Sequence, residues 1–287
     1  MGSVKGATGH KVGAHVPVGG GLVKKGLVNA EEYKVETLQV FLGSPRGWAP
    51  PSVNPVDARR FRDECAERDW PVFVHASYLL NLASPDKDAV QKSVEHLRLS
   101  LAAAGQIGAQ GVVVHAGSSR DGDRPAALKR LKKVFKEALK GAPKSVRLLV
   151  EPTAGGANAM AWTFETTGEY IDAVGIAEVG LCFDTCHLHA AGEDLADRDG
   201  LEASLEALNA RIGSGRIGLI HYNDSKDPRD SRRDRHEMLG KGILGDKGLR
   251  AVAASPALAG VPLVVETPTQ AEDVAHAKKL VKQAAKL

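Results

Sequence analysis

Cysteine is scarce. Cys65, Cys182 and Cys186 are the only three in 287 residues, too few and too scattered for a disulfide framework, which points to a reducing, cytoplasmic setting. No apolar run approaches the roughly 20 residues needed to cross a bilayer. Residues 1–11 are glycine-rich and polar and lack the apolar centre of a signal peptide, so a flexible tail is expected there. Neither sign of charge is in excess, and a net charge of +3 neither establishes nor excludes a polyanionic partner, because a basic face can coexist with an acidic cluster. The glycines at 19–21 follow an apolar run, but their spacing fits neither the phosphate-binding loop nor the dinucleotide fingerprint, which leaves a tight turn. No shift in composition marks a linker, so residues 12–287 are expected to form one domain around one core.

What the sequence does have is a repeated unit. Eight short apolar runs, at residues 12–16, 37–42, 71–75, 111–115, 146–151, 180–184, 217–221 and 261–266, alternate with helical patterns. Asn54 and Pro55, for example, read as an N-cap and a first-turn proline opening a helix to about Asp69. Nearly continuous apolar runs suit strands buried on both faces of a parallel sheet. Eight of them predict an α/β fold of the closed (β/α)8 TIM-barrel class, with an open doubly wound sheet as the alternative.

Strands three to eight each end on a residue that can bind a divalent metal: His75, His115, Glu151, Asp184, His221 and Glu266. In a parallel barrel all strand C-termini lie on one rim, so these side chains should converge there. His187 follows Asp184 by three residues. Alone, that pair is also what a strand-end helix cap looks like. In the long polar loop after strand seven, Asp234 and His236 alternate with Arg235, so both can face one ion while Arg235 faces elsewhere. The set holds five His, two Asp and two Glu. One zinc uses three or four protein ligands, so nine candidates suggest two or three ions: zinc, with manganese or iron as alternatives. The thiols Cys182 and Cys186 flank Asp184 and are read as packed small residues.

Clustered divalent ions suit phosphoester hydrolysis. The loops assigned to the same rim carry Arg46, Arg120, Lys226, Arg232, Arg233 and Arg235, with Tyr78 and Leu79 beside them. Cations that hold phosphates and an aromatic–apolar tip that can wedge into a base stack suit DNA. Tyr78-Leu79-Leu80 can also be read as loop packing against the following helix.

The segments Gly13-Ala-His-Val, His75-Ala-Ser-Tyr-Leu-Leu-Asn-Leu, His115-Ala-Gly-Ser, Glu151-Pro-Thr-Ala-Gly, Asp184-Thr-Cys-His-Leu-His-Ala-Ala-Gly, His221-Tyr-Asn-Asp-Ser-Lys, Ser231-Arg-Arg-Asp-Arg-His-Glu and Glu266-Thr-Pro run across nearly the whole chain. In this order they resemble the endonuclease IV family of apurinic/apyrimidinic endonucleases. The resemblance implies a TIM barrel with three zinc ions. His75, His115 and Glu151 would hold the first, and Glu151 would bridge to a second completed by Asp184, His221 and Glu266. His187, Asp234 and His236 would hold the third. It further implies Glu151 and Glu266 as catalytic residues, with Glu266 positioning the nucleophile or accepting its proton. Arg46, Tyr78, Leu79 and Arg235 would contact DNA. The implied reaction cuts duplex DNA 5′ to an abasic site, leaves a 3′-hydroxyl and clears blocked 3′ ends; the protein is expected to be a monomer and to have no membrane partner. Pro152, Ser119 and Gly156 depart from the family pattern, which bears on loop shape and substrate preference without removing a ligand. Two other classes fit parts of the pattern: a metal-dependent sugar isomerase or epimerase, which leaves Asp234 and His236 without a role, and a non-catalytic DNA-binding or metal-storage barrel.

Overall fold

A computed structural model describes residues 8–286. Its frame is a closed barrel of eight parallel strands. In chain order the strands are β1 (Val12–His15), β2 (Leu38–Val40), β3 (Val72–His75), β4 (Gly111–His115), β5 (Arg147–Glu151), β6 (Gly180–Asp184), β7 (Ile217–His221) and β10 (Leu263–Val265). A two-stranded antiparallel hairpin, β8 (Asp224–Ser225) and β9 (His236–Glu237), lies outside the ring. The helices are α1 (Val28–Glu32), α2 (Pro55–Glu67), α3 (Lys87–Gln106), α4 (Arg124–Ala138), α5 (Phe164–Val174), α6 (Thr185–Ala190), α7 (Arg198–Ile212), α8 (Gly245–Ala254) and α9 (Gln270–Ala284). None of the described helices is long and apolar enough to cross a membrane.

Side-chain caps open several of these helices. The Asn54 side chain accepts from the Val56 and Asp57 amides at the start of α2, with Pro55 in the first turn. Asp86 and Asp123 do the same for α3 and α4. Before α1 the chain makes a π-helical turn, Leu22–Leu27, that runs directly into it.

Residues 1–7 of the expected tail lie outside the described residues. Residues 8–11 are seated on the barrel floor. Gly260 N donates to Thr8 O (2.8 Å) and Leu263 N to Lys11 O (2.8 Å), and the buried His10 ring meets Val261 O (2.7 Å) and Ala253 O (3.1 Å). This segment covers the seam where β1 meets β10, Val12 opposite Leu263.

Strand side chains alternate between the inside and the outside of the ring. The inward set Phe73, Val113, Leu149, Cys182, Leu219 and Val264 forms a separate buried cluster that plugs the barrel. Outward residues of the same strands, among them Val72, Val74, Val112, Leu148 and Val265, join the larger core under the helices. Two residues beyond each member of the plug stand His75, His115, Glu151, Asp184, His221 and Glu266. The period of two therefore turns all six toward the inside, one layer above the plug.

The first two strands of the ring approach closely at Gly13. A Cβ added at Gly13 would lie 1.6 Å from Thr37 O. Gly13→Ala is expected to destabilise the protein by about 3 kcal/mol, the upper end of overpacking costs, read as a lower urea midpoint. An unchanged midpoint would show that β1 and β2 can part without loss.

Candidate metal centre

Glu151 lies at the middle of the barrel mouth and is 1% exposed. Four imidazoles surround its carboxylate. Oε2 is 3.1 Å from His75 Nε2 and 3.4 Å from His115 Nε2; Oε1 is 3.0 Å from His221 Nδ1 and 3.3 Å from His187 Nδ1. Register explains much of this, because His115 pairs with Glu151 and Asp184 with His221 across neighbouring strands.

Asp184 serves two purposes. Its Oδ1 accepts from the His187 amide (2.8 Å), capping α6, while Oδ2 accepts from Asn223 Nδ2 (2.8 Å). The cap starts a short helix, and the helix delivers His187 to the mouth. There His187 Nε2 reaches Asp234 Oδ2 at 3.2 Å. His236 Nε2 lies 3.3 Å from Asp234 Oδ1 and 3.5 Å from Asp184 Oδ2, buried and without a hydrogen-bond partner. Between Asp234 and His236, Arg235 turns away into a two-point pair with Asp227 (Nε to Oδ2 2.6 Å). The loop that follows is clasped by one buried carboxylate: Asp224 accepts from the amides of Gly240 (2.9 Å), Gly242 (3.0 Å) and Gly245 (2.9 Å).

Donor atoms of His75, His115 and Glu151 lie within 4.8 Å of one another, as do those of Glu151, Asp184 and His221, and those of His187, Asp234 and His236. Glu266 joins the second group through Oε2, 3.1 Å from His221 Nδ1. Cys186 falls within the same distance of Asp184 and His236. It is fully buried, and burial pushes its thiol up to about 11.

The donor set fits cations. His75 Nδ1 donates to Ala76 O (2.7 Å), so the lone pair on Nε2 faces Glu151. His221 Nε2 donates to Gln39 Oε1 (2.9 Å), so the lone pair on Nδ1 faces Glu151 and Glu266. A lone pair aimed at a carboxylate oxygen at such distances is repulsive unless positive charge lies between them. Protons can supply that charge. Burial alone would lower the imidazoles of His187, His221 and His236. Acidic neighbours, Asp184 for His187 and His236 and the Cys182, Glu266 and Glu151 groups for His221, outweigh burial and hold all three well above the usual value. In the same way burial would raise Glu151 and Glu266, but the imidazoles, His221 foremost, hold both well below the usual carboxylate range. Divalent cations can take the place of those protons.

Beside His115 a groove of about 710 Å³ opens between Trp48, Tyr78, Leu79, Arg120 and Asn158. Tyr78 is 43% exposed, stacks on His115 (centroids 5.3 Å apart) and meets His75 edge-on. Leu79 is half-buried and Leu80 fully buried, so the packing reading holds for Leu80 and not for Tyr78. Arg46 is exposed on a loop tied to the β3 loop, where Tyr78 N donates to Pro45 O (2.9 Å) and Ser77 Oγ to Gly47 O (3.0 Å). The departures are accommodated. Pro152 supplies the carbonyl that accepts from His187 Nδ1 (3.0 Å), and Gly156 adopts a φ of 125° that favours glycine.

Three polar residues in the same layer lie outside the nine candidates. Asn223 donates to Asp184 and Glu266 (Oε2 3.2 Å) and accepts from the Glu266 amide (2.8 Å). Gln39 lies between His221, Glu266 and His15, with His15 opposite it on β1. The rule that finds the six strand-end residues, two positions beyond an inward one, could also have drawn attention to β1 and β2.

The family model describing a xylose isomerase-like TIM barrel matches residues 27–287. A probable endonuclease 4 of Streptomyces coelicolor is 46% identical over 279 residues, 94% of each chain. The apurinic-apyrimidinic endonuclease 1 of Saccharomyces cerevisiae is 33% identical over 92% of this chain and 73% of its own. The crystal structure of endonuclease IV from Thermus thermophilus superposes with a TM-score of 0.82 at 32% identity, covering 96% of this chain and 99% of the other. An L-ribulose 3-epimerase structure shares the fold alone, with a TM-score of 0.68 at 16% identity. On its barrel and on these relatives, the chain belongs to the endonuclease IV family of apurinic/apyrimidinic endonucleases.

Proposed function

We propose that this protein is a zinc-dependent DNA phosphodiesterase of base excision repair. It cuts duplex DNA 5′ to abasic sites, leaves a 3′-hydroxyl and clears blocked 3′ ends. The observation that carries the reading is the set of three adjoining donor groups, two of them sharing Glu151. In this reading His75, His115 and Glu151 hold one ion; Glu151, Asp184, His221 and Glu266 a second; His187, Asp234 and His236 a third. Such ions supply Lewis-acid charge for the phosphoryl oxygens and make water acidic enough to attack near neutral pH.

The chain's own residues do the rest. Glu266 is 12% exposed and takes hydrogen bonds from Gln39 and Asn223, so its carboxylate is held at the edge of the open mouth. From there it orients the attacking water and accepts its proton. Tyr78 and Leu79 wedge at the lesion, and Arg46 and Arg235 hold phosphates. The Asp227 carboxylate fixes the position of the Arg235 guanidinium. A sugar epimerase could use the same barrel, but it would leave His187, Asp234, His236 and the exposed Tyr78 without work.

Incision of a labelled duplex with one abasic analogue tests the reading directly. Cutting 5′ to the analogue is expected in EDTA without added magnesium, because the ion-binding residues are largely buried. Failure to cut even after zinc or manganese is restored would remove the proposal. Glu266→Gln is expected to lower kcat at least about 100-fold, the scale of a lost general base, with KM for the abasic duplex little changed. Near-normal turnover would take Glu266 out of the mechanism.

The imidazole shifts give a pH dependence. His187, His221 and His236 bind protons more tightly in the folded state. Their contribution to the stability of chelator-treated protein is complete below about pH 6.5, the unfolded-state value, and is lost as pH rises through their raised folded values. Ions require neutral imidazoles and replace those protons. The gap in Tm between ion-loaded and chelated protein should therefore widen from about pH 6 to about pH 9. A constant gap would mean that these histidines do not link ion binding to stability.

A further inference from the structure

Gln39 is fully buried at the mouth end of β2, and its amide meets three groups at once. Its Oε1 lies 2.9 Å from His221 Nε2. Its Nε2 lies 2.8 Å from Glu266 Oε1 and 3.0 Å from His15 Nδ1. Chemistry settles which end of the amide is which. The opposite orientation would set the amide oxygen against the Glu266 carboxylate, acceptor against acceptor, and would turn the NH2 toward His221. In the orientation present, both amide protons are used, one by Glu266 and one by the lone pair on His15 Nδ1, and the oxygen takes the proton on His221 Nε2.

We propose that Gln39 is a positioning residue for the metal-dependent reaction: it fixes the tautomer of His221, so that Nδ1 faces the site, and holds Glu266 in the orientation the attack needs. Two properties are required together on β2, an acceptor toward β7 and a donor toward the residue after β10. A carboxylate supplies only the first, and an alkyl side chain neither. The register places the amide where both can be met, since Gln39 pairs with His15 on one side and with Phe73 on the other, putting its side chain in the inward layer. Partners that orient a ligating imidazole typically change ion affinity or activity 10- to 100-fold when lost.

This inference rests on the metal-dependent reading of the site, and two variants separate its failure from the failure of that reading. Gln39→Met keeps length and loses both functions. Gln39→Glu keeps the acceptor for His221 and replaces the donor with a charge that repels Glu266. Zinc retained per chain after dialysis against a moderate chelator is measured without DNA, beside kcat and KM for incision and Tm. In Gln39→Met one ion is expected to leave about 10- to 100-fold more readily, and kcat to fall by about the same factor with KM unchanged. Gln39→Glu is expected to restore ion retention but not turnover. The proposal is overturned if both variants keep wild-type retention and kcat. It is also overturned if Gln39→Glu loses ions as readily as Gln39→Met, or if KM, kcat and Tm decline together as for a packing defect. Wild-type protein that retains no zinc would instead overturn the metal-dependent reading itself.

Discussion

The mouth of this barrel is organised around one buried carboxylate. Removing Glu151 from water is costly, and the cost is met only by positive charge on both of its oxygens. Four imidazoles from β3, β4, β7 and α6 are arranged to bring that charge, as protons or through shared cations. Other features of the rim follow. The α6 cap by Asp184 exists at the point where His187 must arrive. The amides of Gln39 and Asn223 hold Glu266, and Gln39 also takes the proton on the far nitrogen of His221. The floor is closed by apolar plug residues, so the field of the charged layer is directed outward, toward solvent and any anionic ligand.

A parallel barrel suits such a centre because it aligns strand ends without further instruction. Each strand needs only an inward apolar residue and, two positions later, a donor. Six strands obey this rule, from Phe73 and His75 to Val264 and Glu266. The third donor group obeys a different one. Asp234 and His236 come from a loop and the β9 edge, outside the ring, and depend on the β8–β9 pairing and on the grip of Asp224 on the amides at 240, 242 and 245. Two groups are thus part of the barrel, and one is attached to it.

That division also marks what could be read from the sequence. The eight strands and the six strand-end residues were legible because burial on both faces leaves uninterrupted apolar runs, and a donor at the end of such a run stands out. The cap at Asn54 was legible through local chemistry. Helix α6 was legible only as a strand-end cap at Asp184, since six residues cannot show a period. The π-helical turn at Leu22–Leu27 was hidden for a related reason: its residues have ordinary helical patterning, and nothing in that pattern separates a π turn from an α turn. Gln39 and His15 were passed over because a glutamine, or a histidine on a strand without a partner signal, has many uses. Their meaning lies in register, which pairing alone supplies. Among the loop cations, Arg235 faces away from its neighbours as alternation requires, yet its tie to Asp227 depends on a turn that no pattern announces.

The seam between β1 and β10 has a bearing on how the protein comes into being. Val12 and Leu263 are neighbours in the ring and lie at nearly opposite ends of the chain, and the segment through His10 is held by carbonyls at 253 and 261. Contacts of such long range carry a loop-closure cost that neighbouring βα units do not. During synthesis, seven strands can assemble while the eighth is still missing, and with it Glu266. A nascent chain on the ribosome therefore has an unfinished mouth, with Gln39 and Asn223 still without the Glu266 carboxylate they will hold.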